Sequence, residues 1–155
     1  MKIVIVYDSK FGNTQKVAEN IAKSFGGKHK VNVLAASKSS RKDLNKIDLL
    51  IVGSPTYGGR PTLAVQAFLD QIPAQSLKNI KVAAFDTRML AQDQSAFLKT
   101  VMKIIGYAAP KILKTLVQKG GQAIVPAEGF IVTSKEGPLQ KGELEKASKW
   151  LIKLG

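Results

Sequence analysis

The most informative stretch of this sequence is KIVIVYDSKFGNTQKVAENIAKSF, residues 2–25. It begins with an almost continuously apolar run, Lys2–Asp8, which is typical of a central strand in a parallel sheet covered on both faces. Small polar residues follow, and apolar side chains then recur at helical spacing, at Val17, Ala18, Ile21, Ala22 and Phe25. The stretch therefore predicts a strand, a short loop and an amphipathic helix.

Strand-like runs recur further along the chain, each followed by a stretch that can form a helix. They are Lys30–Ala36, Leu49–Thr56, Lys81–Thr87 and Gln122–Val132. Helical stripes are predicted within residues 97–105, 112–117 and 144–154, with a break or kink at Pro110, whereas Ser40–Lys46 is long enough only for a short helix. This alternation predicts one α/β domain over residues 1–155, a three-layer α/β/α fold with a doubly wound, five-stranded parallel sheet.

The composition excludes several kinds of site and location. The chain has no cysteine, which excludes disulfides and iron–sulfur ligation, and its one histidine, His29, has no partner ligands nearby in sequence. We therefore expect no metal site. No apolar run approaches the roughly 18 residues that span a bilayer, and the first strand begins too near Met1 for a signal peptide to precede it. These features predict no membrane span and a soluble, cytoplasmic protein.

The charge balance is strongly basic, with 24 Lys and Arg against 11 Asp and Glu, a net charge of +13. Such a balance attracts anionic partners of any kind and does not choose among them. A compact cluster at Lys38, Arg41, Lys42 and Lys46 could contact nucleic acid, but no aromatic residues are interleaved there for base stacking. A solvated surface is the favoured interpretation, and no nucleic-acid partner is expected.

The loop Ser9–Thr14 is a candidate anion site. The first N–H groups of a helix lack intrahelical acceptors and carry the positive end of the helix dipole, so a helix that follows a short loop can bind phosphate. Gly12 permits the turn, and Ser9, Asn13 and Thr14 offer side-chain donors. The alternative is that Ser9 or Asn13 only caps the helix. Since neither G-x-G-x-x-G nor G-x-x-x-x-G-K-[ST] occurs, a monophosphate is favoured over a dinucleotide or triphosphate.

The loop after the third strand reads Gly53-Ser54-Pro55-Thr56-Tyr57-Gly58-Gly59-Arg60-Pro61. In a doubly wound sheet, ligands bind outside the carboxyl ends of the strands where the strand order reverses, and the first and third strands border that point in one of the two common orders. Tyr57 could stack there on a planar ring, and the two glycines would let the backbone approach a ligand. Taken alone the stretch is an ordinary turn, but beside the first loop it predicts a pocket.

The fourth strand ends in Phe85-Asp86-Thr87-Arg88, which should form a third wall of the same pocket. Thr87 and Arg88 are placed to face a ligand. Phe85 could equally belong to the core, and Arg88 could simply pair with Asp86.

With these three loops the chain resembles the flavodoxin family, and the resemblance covers nearly the whole sequence. The family's phosphate loop reads [ST]-x-[ST]-G-x-T, where this chain has Ser9-Lys10-Phe11-Gly12-Asn13-Thr14. Two further flavin loops match Thr56–Gly59 and Asp86–Arg88, and the closing stretches Gly129–Val132 and Gly137–Leu144 are also similar. No long insertion interrupts the last strand, as in the short-chain type.

The resemblance implies strand order 2-1-3-4-5 and one bound FMN at the switch point between the first and third strands. It implies that Ser9, Lys10, Phe11, Gly12, Asn13 and Thr14 hold the phosphate and that Tyr57, beside Pro55 and Thr56, stacks on the isoalloxazine. Gly58 or Gly59 would present a carbonyl to the flavin N5. The loop Asp86–Arg88 would form the third wall, with Thr87 and Arg88 at the pyrimidine end of the ring.

Three features depart from the family pattern. Phe11 replaces a hydroxyl residue in the phosphate loop, no aromatic residue occurs among residues 87–94 as a second stacking ring, and the chain is basic where flavodoxins are usually acidic. A cation about 8 Å from the ring, at an effective dielectric near 20, would favour an anionic reduced flavin by roughly 2 kcal/mol, or about 90 mV. We therefore predict a higher potential for the second one-electron reduction than in acidic flavodoxins, with Lys10 and Arg88 as contributors.

Two functions of the same fold compete. The favoured hypothesis is an FMN-binding electron carrier, which needs no catalytic residue, and the sequence offers none, because Asp8 and Asp86 have no obvious partner. Its redox partner is expected to have an acidic surface. The alternative is a small FMN-dependent NAD(P)H:quinone-type reductase, since an open ring face would admit a substrate. A phosphoacceptor receiver domain is excluded because Asp8 has no acidic neighbour.

Overall fold

The computed structural model describes residues 1–90, 100 and 106–152. Its centre is a parallel sheet whose strands are β1 (Lys2–Tyr7), β2 (Lys30–Ala35), β3 (Leu49–Pro55), β4 (Lys81–Met89), β5 (Gln122–Ala123) and β6 (Glu128–Val132). The strand order is β2-β1-β3-β4-β5, with β6 also paired to β4. This is the order expected from the sequence, with the switch point between β1 and β3.

Helices cover both faces of the sheet. Within the described ranges these are α1 (Asn13–Ser24), α2 (Leu63–Asp70), α3 (Ala108–Gln118) and α4 (Glu143–Trp150). One core cluster joins alternate residues of β1, β3 and β4 to α2 and α3, and a second joins the other residues of these strands to α1 and α4. Because both faces of the central strands are buried, β3 is apolar at almost every position and is buried throughout.

The predicted fifth strand, Gln122–Val132, is divided into two. β5 pairs with the start of β4 at Lys81 and Val82, and β6 pairs with its end from Phe85 to Met89. Pro126 lies between them and has no N–H to give to the ladder, which explains the interruption. The division leaves β6 alongside the part of β4 that reaches the carboxyl edge of the sheet.

The helical predictions have mixed outcomes. Pro110 is the third residue of α3, in the first turn, where its missing N–H is not needed, so it lies at the start of a helix and not in the interior of one. The short helix expected within Ser40–Lys46 is a 3₁₀ turn at Arg41–Leu44, capped by Ser40 and Asp43. The stripe predicted at residues 97–105, apart from Thr100, and the end of the last stripe lie outside the described residues. Among the helices described, none is long and apolar enough to cross a membrane.

Candidate functional site

A cavity of about 310 Å³ opens at the carboxyl ends of β1, β3, β4 and β6. This volume is within the range of small-molecule sites in proteins, about 300–1,000 Å³. Twelve of the fourteen predicted site residues line it: Ser9, Lys10, Phe11, Asn13, Thr14, Pro55, Thr56, Tyr57, Gly58, Gly59, Thr87 and Arg88. Gly12 and Asp86 do not line the cavity but support residues that do. The three loops singled out in the sequence therefore meet in space.

The first wall is the loop between β1 and α1. Gly12 has a φ of 92° and precedes the helix, as its place in the turn requires. The N–H groups of Gly12 and Gln15 both donate to Ser9 Oγ, at 3.1 and 3.3 Å. Two backbone donors at the start of a twelve-residue helix thus converge on one oxygen atom. An anion oxygen in that place would meet the same donors and the positive end of the helix dipole.

Two buried side chains of this loop hold the neighbouring walls in position. The Thr14 and Thr87 hydroxyls form a 2.8 Å hydrogen bond, which joins α1 to the end of β4. The Asn13 amide donates to the Glu136 carbonyl at 3.1 Å, which joins α1 to the loop between β6 and α4. Two side chains that the sequence predicted to bind a ligand, Asn13 and Thr14, therefore also fix the shape of the cavity.

The second wall is a tight hairpin at Tyr57–Arg60. Tyr57 and Arg60 exchange two backbone hydrogen bonds of 3.0 Å, and Gly58 and Gly59 have φ values of 56° and 75°. Positive φ at both central residues defines a type I′ turn, which explains the pair of glycines. Lys111 Nζ donates to the Gly59 carbonyl at 2.5 Å and so ties the turn to α3.

The Tyr57 ring gives the second wall of the cavity an aromatic surface. Burial raises the pKa of its phenol above the ordinary value of 10.0, and the nearby Asp8 carboxylate raises it further. Lys10 Nζ lies 6.0 Å from the centre of this ring and 5.6 Å from the centre of the Phe11 ring. The wall is thus a neutral aromatic surface with a cation beside it, suited to a planar ring that takes up negative charge.

The third wall contains a built ion pair. Arg88 bonds the fully buried Asp86 through Nε at 2.7 Å and Nη2 at 2.8 Å, so the pairing that the sequence left open is present. The same carboxylate accepts from the Ala109 N–H at 2.8 Å, at the start of α3. The guanidinium lies 3.7 Å from the centre of the Tyr107 ring, and a Cβ at Gly129 would come within 2.3 Å of it. Arg88 is therefore held by Asp86, by the Tyr107 ring and by the backbone at Gly129.

Sequence reasoning left Phe85 open between core and site. It is fully buried and packs edge-to-face on Phe130 and Trp150, so it belongs to the core.

Four residues of the cavity were not predicted: Met89, Tyr107, Val132 and Lys135. Tyr107 precedes α3, whose first residue lies at the carboxyl edge of the sheet because Ala108 N–H donates to Thr56 Oγ1 at 3.1 Å. The sequence signal that could have identified Tyr107 as a site residue was its position directly before a helix that follows a strand of the sheet. Tyr107 adds a third aromatic side chain to the cavity, after Phe11 and Tyr57, and it lies outside residues 87–94.

Comparison with known proteins agrees with this geometry. A family model for the flavodoxin domain matches residues 4–137. A flavodoxin from Synechococcus elongatus is 30% identical over 130 residues, which cover 83% of this chain and 73% of that protein. A flavodoxin from Clostridium saccharobutylicum is 26% identical over 150 residues, covering 95% of this chain and 91% of that protein.

Solved structures extend the likeness to the whole fold. The crystal structure of oxidised flavodoxin 1 from Bacillus cereus has a TM-score of 0.75 at 18% identity, covering 97% of this chain and 94% of that one. The family model and the relatives match most of the sequence, and the strand order and the position of the cavity agree with that match. The chain belongs to the flavodoxin family.

Proposed function

We propose that this chain binds one FMN in the cavity and carries electrons between redox proteins. Electron transfer is the function of the flavodoxin family, and FMN is its cofactor. The observation that carries the proposal is that Ser9, whose Oγ accepts from two N–H groups at the start of α1, lines the same cavity as Tyr57. These are the two contacts that a ring with a terminal phosphate needs at once.

The residues present fit FMN. Ser9–Thr14 would hold the phosphate, because Ser9 Oγ already occupies a place where an anion oxygen would be bonded. Tyr57 would lie against the ring, and Thr87 and Arg88 would face its pyrimidine end. Bound FMN supplies the redox chemistry, whereas the protein supplies binding, orientation and electrostatics.

The type I′ turn offers one carbonyl to the ring. The Gly59 carbonyl accepts from Lys111, so it is held in place. Rotating the peptide between Gly58 and Gly59 changes the turn from type I′ to II′ and leaves the hydrogen bonds between Tyr57 and Arg60 intact. We therefore assign to Gly58 the carbonyl that turns toward the flavin N5, one of the two glycines that the sequence allowed.

A carrier is favoured over a reductase by the character of the walls. No Asp, Glu or His side chain, the commonest general acids and bases, is among the described residues that line the cavity. A carrier needs neither. Tyr107 also adds an aromatic side chain to the cavity, whereas the reductase alternative rested on the absence of an aromatic residue among residues 87–94.

The rim of the cavity favours an acidic redox partner. Lys10 and Lys135 are exposed cations that line the cavity, beside the exposed apolar side chains of Phe11 and Met89. Opposite charge on a partner would steer the encounter, and the apolar side chains would provide contact area. Electron transfer to an acidic partner should therefore slow as the salt concentration rises.

Two assays on the FMN-loaded protein distinguish carrier from reductase. A carrier that has been reduced with dithionite should pass both electrons of its flavin to ferricyanide. It should not catalyse the oxidation of NADPH by a quinone faster than free FMN does. Turnover well above that of free FMN would favour the reductase instead. Failure to retain any flavin would contradict both functions.

A further inference from the structure

We infer that Lys135, on the loop between β6 and α4, recognises the phosphate of the flavin and makes its binding selective for FMN over riboflavin. This inference rests on the proposed function, because it concerns the same cavity. Two observations support it: Lys135 lines the cavity from a tight turn, and this turn is hydrogen-bonded to the start of α1.

The turn is Ser134–Gly137. The Gly137 N–H donates to the Ser134 carbonyl at 3.0 Å, and Ser134 Oγ donates to the Gly137 carbonyl at 2.5 Å. A further bond, from the Thr133 N–H to the Pro138 carbonyl at 2.9 Å, closes the base of the loop. Lys135 is the second residue of this turn, and its side chain lines the cavity. The backbone that carries the lysine is thus held by its own hydrogen bonds.

The turn is seated on the residue that opens α1. Glu136, next to Lys135, accepts a 3.1 Å hydrogen bond from the Asn13 amide. Gly137 packs so closely on Asn13 that a Cβ there would lie 2.6 Å from the amide atoms. Asn13 is buried and adjoins Gly12, one of the two N–H donors to Ser9 Oγ. Lys135 therefore lies at the anion end of the cavity.

The cations of the cavity divide between its two ends. Lys10 lies near the rings of Phe11 and Tyr57, at the aromatic wall, and Arg88 is neutralised by Asp86. Lys135 takes part in none of the ion pairs found among the described residues. Asp8 accepts from the Ser9 N–H at 2.9 Å, so a carboxylate stands beside the place of the phosphate and would repel it. An ammonium group at that end offsets the repulsion.

The test compares FMN with riboflavin, which lacks the phosphate, on flavin-free protein at low salt. Lys135→Met should weaken FMN binding roughly 10-fold, as expected for an exposed charge-assisted contact, and should leave riboflavin binding unchanged. The loss should shrink as salt is added. Lys135→Arg should retain most of the selectivity.

The matched control is Lys28→Met, the same change of charge on the 3₁₀ turn that follows α1 at the opposite edge of the sheet. It should leave both affinities as they are, and thermal unfolding should show that both variants fold. The inference is overturned if Lys135→Met weakens FMN and riboflavin equally, or if Lys28→Met has the same effect on FMN. Wild-type protein that binds neither flavin would instead defeat the proposed function, and the inference with it.

Discussion

Replacing Arg88 by methionine is the substitution with the clearest structural cost. Asp86 is fully buried, and Arg88 supplies two of its three described hydrogen bonds. In Arg88→Met the carboxylate keeps only the Ala109 N–H, so a buried charge loses its counter-ion. Breaking a buried pair in this way costs about 3–5 kcal/mol. With a urea m-value of roughly 2 kcal/mol/M, the unfolding midpoint should fall by about 1.5–2.5 M.

A double-mutant cycle separates the ion pair from lost packing. Asp86→Asn in the Arg88→Met background removes the stranded charge, so the double variant should be less destabilised than the sum of the single variants by about 1–3 kcal/mol. Arg60→Met is the matched control, since Arg60 is exposed, and it should change the free energy of unfolding by less than about 0.5 kcal/mol. The reasoning is refuted if Arg88→Met behaves like Arg60→Met, or if the two single effects simply add.

Three further substitutions test the core beneath the cavity and the charges around it. A Cβ at Gly53 would overlap the buried Phe85 ring, so Gly53→Ala should lower the free energy of unfolding by about 1–3 kcal/mol, measured by urea titration. Gly27→Ala is the control, because the space around Gly27 is open, and it should change the free energy of unfolding little. The pKa of the Tyr57 phenol is raised above 10.0, so the stability that the neutral phenol gives the folded state is complete below pH 10.0 and is lost as the pH rises through the raised pKa. Asp8→Asn should lower this pKa, measured by phenolate absorbance, but the part of the shift that burial causes should remain. Lys10→Met should lower the potential for the second one-electron reduction by up to about 90 mV, measured by potentiometry, and an unchanged potential would show that this cation does not act on the flavin.

The alternation of strands and helices and the meeting of three loops could be predicted from local patterns, whereas the strand order was implied only by the resemblance to the flavodoxin family, because the pattern allowed two common orders. Continuous apolar runs alternate with helical stripes, and parallel strands bring their carboxyl ends to one edge. Tyr57 and its glycines follow such a strand directly, so their place was readable.

What could not be predicted depends on contacts between distant parts of the chain. Tyr107 follows a predicted helical stripe that ends at residue 105, so the sequence did not predict that a new helix, α3, starts directly after it. Lys135 belongs to no motif and reaches the cavity through a contact between Asn13 and Glu136, 123 residues apart. The effect predicted for Arg88 on the potential is opposed by the charge of Asp86, a pairing that the sequence raised but could not decide.

The central claim is that one cavity holds a phosphate at Ser9–Thr14 and a flat ring against Tyr57. Titration of the flavin-free protein with FMN, followed by flavin fluorescence, tests it directly. Quenching should saturate at one FMN per chain, and Tyr57→Ala should bind FMN more weakly. Fluorescence that never saturates, or binding that Tyr57→Ala leaves intact, would contradict it.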